Sequence, residues 1–180
     1  LGINVLNLRQ SILSFSTITG ILKKNLRSKK IEHLRLPLHV ALTSLETGLQ
    51  VVVNEGDLVE TLTAASALPV FLPSVVINGV AYADGGMSNN LPVEPFLSSD
   101  KKLIGIHVNP VQGYKSTMGL RQTIDRSMHI IVRNNILENI KKCDVFIEPS
   151  GLVDYHIFEL NKIEDIIREG YHYTKEHVKL

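Results

Sequence analysis

Val75-Val76-Ile77-Asn78-Gly79-Val80-Ala81-Tyr82-Ala83-Asp84-Gly85-Gly86 is the stretch on which the reading of this chain turns. β-Branched residues on both sides of Asn78-Gly79 predict two strands joined by a two-residue hairpin turn, with positive φ at both central positions. Asp84 then falls just past a strand end, with two glycines behind it. Glycine lacks a Cβ, so the backbone there can take unusual φ or come close to another segment. Strand ends in α/β sheets are where ligands gather. The same three residues also suit a plain turn, because Asp and Gly are common turn formers.

Working back from the hairpin, Asp57 with Glu60 predicts a helix start that runs to about Ala67 and stops before Pro69. Leu49 to Val53 reads as a strand, and Leu36 to Leu45 as a buried one, with turn chemistry at Glu46-Thr47-Gly48 between them. Leu8, Ile12, Phe15, Ile18, Leu22 and Leu26 recur at helical spacing and predict an amphipathic helix over residues 9–27. Working forward, Pro92 suits the start of a short helix, and Lys102 to Val108 reads as an apolar strand. Leu120, Ile124, Met128, Ile131, Ile136 and Ile140 predict a long helix over about 118–141. Cys143 to Ile147 follows as a strand stopped by Pro149, and a last helix carries Ile163, Ile166, Ile167, Tyr171, Thr174 and Val178. Strands alternating with helices predict an α/β layer fold with a mainly parallel sheet. No internal repeat, linker or low-complexity segment divides residues 1–180, which read as a single partial domain.

Composition narrows the classes of function. The chain has 180 residues, is 44% hydrophobic and carries a formal net charge of +1, so no global field points to nucleic acid. Its one cysteine, Cys143, rules out an internal disulfide framework and favours a reducing, cytoplasmic setting. The longest nearly apolar run, Ala67 to Ile77, contains two prolines and falls short of the ~20 residues a spanning helix needs. Neither a basic-then-apolar leader nor an initiator methionine opens the chain, which suggests a piece with something upstream. Lys23, Lys24, Arg27, Lys29, Lys30 and Arg35 cluster against Glu32 alone. They suit a solvated helix end; a second reading is peripheral membrane contact through anionic headgroups.

Several pieces, in order, resemble the patatin-like phospholipase family of the bacterial type. They are Gly56-Asp57-Leu58, Ala65-Ser66-Ala67-Leu68-Pro69, Pro73, Asn78-Gly79, Tyr82-Ala83-Asp84-Gly85-Gly86 and Asn89-Asn90-Leu91-Pro92-Val93. The strand and turn from Leu38 to Gly48, the run Ile104-Gly105-Ile106-His107-Val108 and the pair Gly170-Tyr171 extend the likeness over nearly the whole chain. The resemblance implies a three-layer α/β sandwich and a serine esterase or phospholipase acting on lipid or other acyl esters. A Ser-Asp dyad would work without metal or organic cofactor. Asp84 matches the catalytic aspartate; Gly85, Gly86, Asn89 and Asn90 match the motif around it.

The serine of that family sits in a Gly-x-Ser-x-Gly elbow. Here only Gly86-Met87-Ser88 places a serine two residues after a glycine, and position 90 is Asn. No glycine-rich oxyanion loop is visible either. The expectation is therefore the carboxy-terminal part of a catalytic domain, lacking its amino-terminal strands and elbow, whose nucleophile comes from the upstream part of the same domain. The alternative is a non-catalytic lipid-binding or regulatory module of the same fold.

Among other candidates, no pair of the seven histidines has ligand spacing such as His-Glu-x-x-His, so no metal site is expected. His107 on an apolar strand reads as a satisfied core or strand-end residue. Cys143 reads as packing rather than a nucleophile. No P-loop or dinucleotide fingerprint is present. Substrate-binding residues have no signature in the sequence.

Overall fold

The computed structural model of the protein describes residues 15–69, 72–111, 119–155 and 160–178. The chain divides into two compact units, Leu1–Asn89 and Asn90–Leu180.

The first unit contains helix α1 (Phe15–Asn25), strands β1 (Val40–Ser44) and β2 (Gln50–Val53), helix α2 (Leu58–Ala65), and strands β3 (Val75–Ile77) and β4 (Val80–Asp84). The amino-terminal end of the predicted helix 9–27 lies outside the described residues. The four strands form one sheet in the order β2-β1-β4-β3, and every neighbouring pair is antiparallel. This corrects the expected three-layer sandwich with a mainly parallel sheet. Tight turns dictate the difference, because strands joined by a few residues must run in opposite directions. Glu46-Thr47-Gly48 folds β2 back on β1, with Gly48 at φ +70°. Asn78 and Gly79, at φ 50° and 84°, fold β4 back on β3. Both central residues of that hairpin have the positive φ expected of an Asn-Gly turn.

α2 starts where the sequence places it. The Asp57 carboxylate Oδ1 accepts from the Glu60 backbone N–H at 2.9 Å, filling one of the helix's unpaired donors. The core of this unit is Val40, Leu42 and Ala64, with Leu38, Val53, Leu62, Val75, Ile77 and Tyr82 packed around it. α2 thus covers one face of the sheet.

The second unit holds strand β5 (Ile104–Ile106), helix α3 (Leu120–Ile140), strand β6 (Val145–Ile147) and helix α4 (Ile163–His177). Here the alternation of strand and helix does give a parallel pair, β5 with β6, as a crossover through a long helix allows. Its core is Leu91, Val93 and Ile136, against which Leu103, Ile140, Cys143 and Phe146 pack. Gly105 is required by that packing: a Cβ there would stand 2.6 Å from Cys143 Sγ and 3.3 Å from Phe146 Cδ2.

Candidate active site

Asp84 is the last residue of β4, and its backbone is held from three directions. Its N–H donates to Ala67 O at 3.1 Å, beyond the end of α2. In the sheet it stands opposite Leu42, a fully buried β1 residue. Its carbonyl accepts from the Thr43 hydroxyl at 2.8 Å. The chain then turns into a short 3-10 segment, Gly85–Met87, capped by the Asp84 side chain, whose Oδ1 accepts from Gly86 N–H at 2.8 Å.

Gly85 explains why this turn needs glycine. A Cβ built there would lie 2.1 Å from Ala41 O and 2.5 Å from Ala41 C, inside the β1 backbone. Gly85 O in turn accepts from Ser88 N at 3.2 Å and Asn89 N at 2.9 Å. The Ser88 and Thr43 hydroxyls are 2.9 Å apart, so Thr43 links the strand to both ends of the turn. Asn89, 7% exposed, donates its side-chain amide to Gln50 Oε1 at 2.8 Å. Gln50 Nε2 is itself buried with no hydrogen-bond partner among the described residues.

Asp84, Gly85, Gly86 and Asn89 therefore belong to one hydrogen-bonded turn at the end of β4. Asn90 begins the second unit, where its backbone N–H donates to Asn135 Oδ1 at 3.1 Å. Thr43 and Gln50 had no signature in the sequence, and Ser88 stood out only as the serine of Gly86-Met87-Ser88. The only available signal was polar residues in or beside an otherwise apolar strand, since Thr43 and Ser44 are both buried at 4% exposure.

The electrostatics of the turn suit proton transfer. Burial pushes the Asp84 carboxyl above its ordinary range, because removing water disfavours the charged form. The Gly86 N–H works in the opposite direction and is the weaker influence. The carboxylate is thereby made a better base than a free aspartate while one oxygen stays oriented.

The second unit holds a separate polar cluster. His107, 2% exposed, shares a 2.8 Å hydrogen bond through Nδ1 with Glu148 Oε1, and Arg133 pairs with the same carboxylate. His107 Nε2 is buried without a partner among the described residues. The expectation of a satisfied histidine thus holds for one ring nitrogen and fails for the other. Burial lowers the His107 pKa, against the opposing pull of Glu148. Cys143 is half-buried, its thiol donates to Asn139 O at 3.4 Å, and burial raises its pKa, so it stays protonated. Among the described residues no group of three or more His, Cys, Asp or Glu side chains could hold a metal ion. No described helix is long and apolar enough to cross a membrane.

A strand-end carboxylate with a raised pKa on an α/β fold defines a candidate acid–base site. Residues 2–97 match the family model described as Patatin-like phospholipase, and the chain belongs to that family. The match takes in the whole Asp84 turn and ends at residue 97, short of the likeness read from the sequence as far as Gly170-Tyr171. No curated protein matches the chain.

Proposed function

We propose that this chain is the carboxy-terminal part of a bacterial-type patatin-like catalytic domain hydrolysing lipid acyl esters, with Asp84 as the general base of a Ser-Asp dyad. The serine comes from residues outside this sequence. The observation that carries the proposal is the Asp84 carboxylate, raised in pKa by burial and fixed by Gly86 N–H at the end of β4. A serine hydroxyl is a weak nucleophile until a nearby base takes its proton. A base works best when its pKa approaches the working pH, and burial moves Asp84 that way.

In this reading Gly85 lets the turn sit flush against β1, Gly86 holds the carboxylate through its N–H, and Asn89 braces the turn through Gln50. Asn90 belongs to the motif by its position in the sequence. The exposed apolar side chains of β5, Ile104 and Ile106, support a domain completed by further structure, since parallel strands are normally covered on both faces. No cofactor is invoked. The site of action is the cytoplasm, with the substrate presented as lipid.

The test is Asp84→Asn in the protein with its upstream elbow, assayed on a short-chain p-nitrophenyl ester. Asn keeps the acceptor oxygen for Gly86 N–H and loses the base. Turnover should fall by about 10²–10⁴-fold, the range expected for losing a positioned base. Wild-type rates in the folded variant would end the assignment.

A further inference from the structure

The basic segment at the end of α1 is fixed in place, and among its described residues only Lys30 has a charged neighbour of the segment's own, Glu32, whose carboxyl it helps to keep ionised. Lys23, Lys24, Arg27, Lys29, Lys30 and Arg35 are all exposed. No ion pair among the described residues involves any of the six. Glu32, the one acid among them, is committed elsewhere: its Oε2 accepts from Gly56 N–H at 2.8 Å. Backbone hydrogen bonds hold its carboxyl below the ordinary range, so it remains ionised there.

The segment after α1 is stitched to the start of α2. Ile31 N donates to Gly56 O at 3.1 Å and Leu58 N to Lys29 O at 2.9 Å. Ile31 anchors the segment from below, 2% exposed. These cations are therefore presented from a tethered backbone rather than a floating tail. With the whole chain at only +1, such a cluster leaves the rest of the chain net acidic.

Beside the cluster lies a groove of about 750 Å³. Phe15, Leu26 and Val59 contribute apolar wall, and Lys23, Arg27 and Lys29 stand on the same lining. Asp57 and Glu60 also line it, and Asp57 is occupied in capping α2.

We propose that this face, Lys23, Arg27 and Lys29 around the α1–α2 groove, is the docking surface by which the protein sits on an anionic lipid bilayer. Charge complementarity identifies the occupant. Clustered cations gain from the negative potential of a bilayer containing acidic lipids. The apolar groove wall beside them, Phe15, Leu26 and Val59, suits an acyl chain, which a nucleic-acid backbone does not offer. The inference concerns binding alone and stands without the Ser-Asp dyad.

The experiment is vesicle co-flotation of the protein with phosphatidylcholine vesicles, and with vesicles containing about a third phosphatidylserine. The expected result is binding to the second kind only, lost as salt rises to about 0.5 M. The triple variant Lys23→Gln, Arg27→Gln, Lys29→Gln should bind roughly a hundredfold more weakly. A control triple in the second unit, Lys101→Gln, Lys102→Gln, Lys175→Gln, should bind as wild type. Asp84→Asn should also bind as wild type, which separates failure of the dyad from failure of docking.

Four outcomes overturn the proposal: no binding to either vesicle, equal binding to both, equal loss in the control triple, or tighter binding of single-stranded RNA through the same three cations. Should the test triple misfold by circular dichroism, the lipid-composition and salt series on the wild type decides alone.

Discussion

Gly85→Ala is the substitution for which the structure gives the most definite expectation. The added Cβ would stand 2.1 Å from Ala41 O and 2.5 Å from Ala41 C, where ordinary contact begins near 3.4 Å. One strand must retreat by more than an ångström. The obstacle is backbone, so no rotamer change relieves it. β1 is also held on both sides, paired with β2 and with β4. Overpacking a core commonly costs about 1–3 kcal/mol, and a strand-backbone clash belongs at the upper end, about 3 kcal/mol. For a chain of this size that lowers the melting temperature by about 6–12 °C. Gly170→Ala supplies the matched control. It lies inside α4, and nothing stands within 4 Å of its built Cβ. Alanine should stabilise that helix by about 0.5–1 kcal/mol. Thermal unfolding followed by circular dichroism reads both. A Gly85→Ala melting point within about 2 °C of wild type would refute the close-approach argument, as would equal damage from Gly170→Ala.

Asp84→Asn should raise stability at neutral pH even as it removes the base. A carboxyl with a raised folded pKa binds its proton more tightly folded than unfolded, so its contribution is largest at low pH and is lost as pH rises through the folded pKa. The gain in melting temperature over wild type should therefore vanish in acid. Thr43→Val removes the hydroxyl that donates to Asp84 O and meets Ser88, at a cost of about 1–2 kcal/mol; esterase activity should fall more than in Thr43→Ser, and equal rates would show that the hydroxyl does not position the aspartate. His107 has a depressed folded pKa, so below about 6.5 the unfolded chain takes up a proton that the folded chain resists. Wild-type stability should decline as pH falls from 7 through that region, and the decline should be shallower in His107→Gln. Parallel melting curves for the two proteins across the same pH range would count against this.

What could be read in the sequence was local. The Asn78-Gly79 turn needed only its own two residues and took positive φ at both. The Asp57 cap of α2 depended on a partner three residues away. The long helix expected over 118–141 is α3, Leu120–Ile140, because its apolar spacing spans many turns. Strand direction was misread because alternating elements suggested crossovers where tight turns dictated antiparallel pairing. The pairing of β1 with β4 had no local signature at all. Thr43 carries nothing in its neighbourhood to announce that its hydroxyl meets Asp84 and Ser88. The Gly85 glycine was legible as a special backbone position, while the strand it approaches became visible only in three dimensions.

The register Leu42↔Asp84 also sets an order of events during folding. Each hairpin closes over a few residues, on a timescale of microseconds. The contact from Thr43 to Asp84 spans 41 residues and must await the meeting of two preformed hairpins. Non-local strand pairing is entropically slow. The carboxylate is thus shielded only when the sheet has zipped through its centre, so a half-folded chain presents an ordinary acidic side chain there.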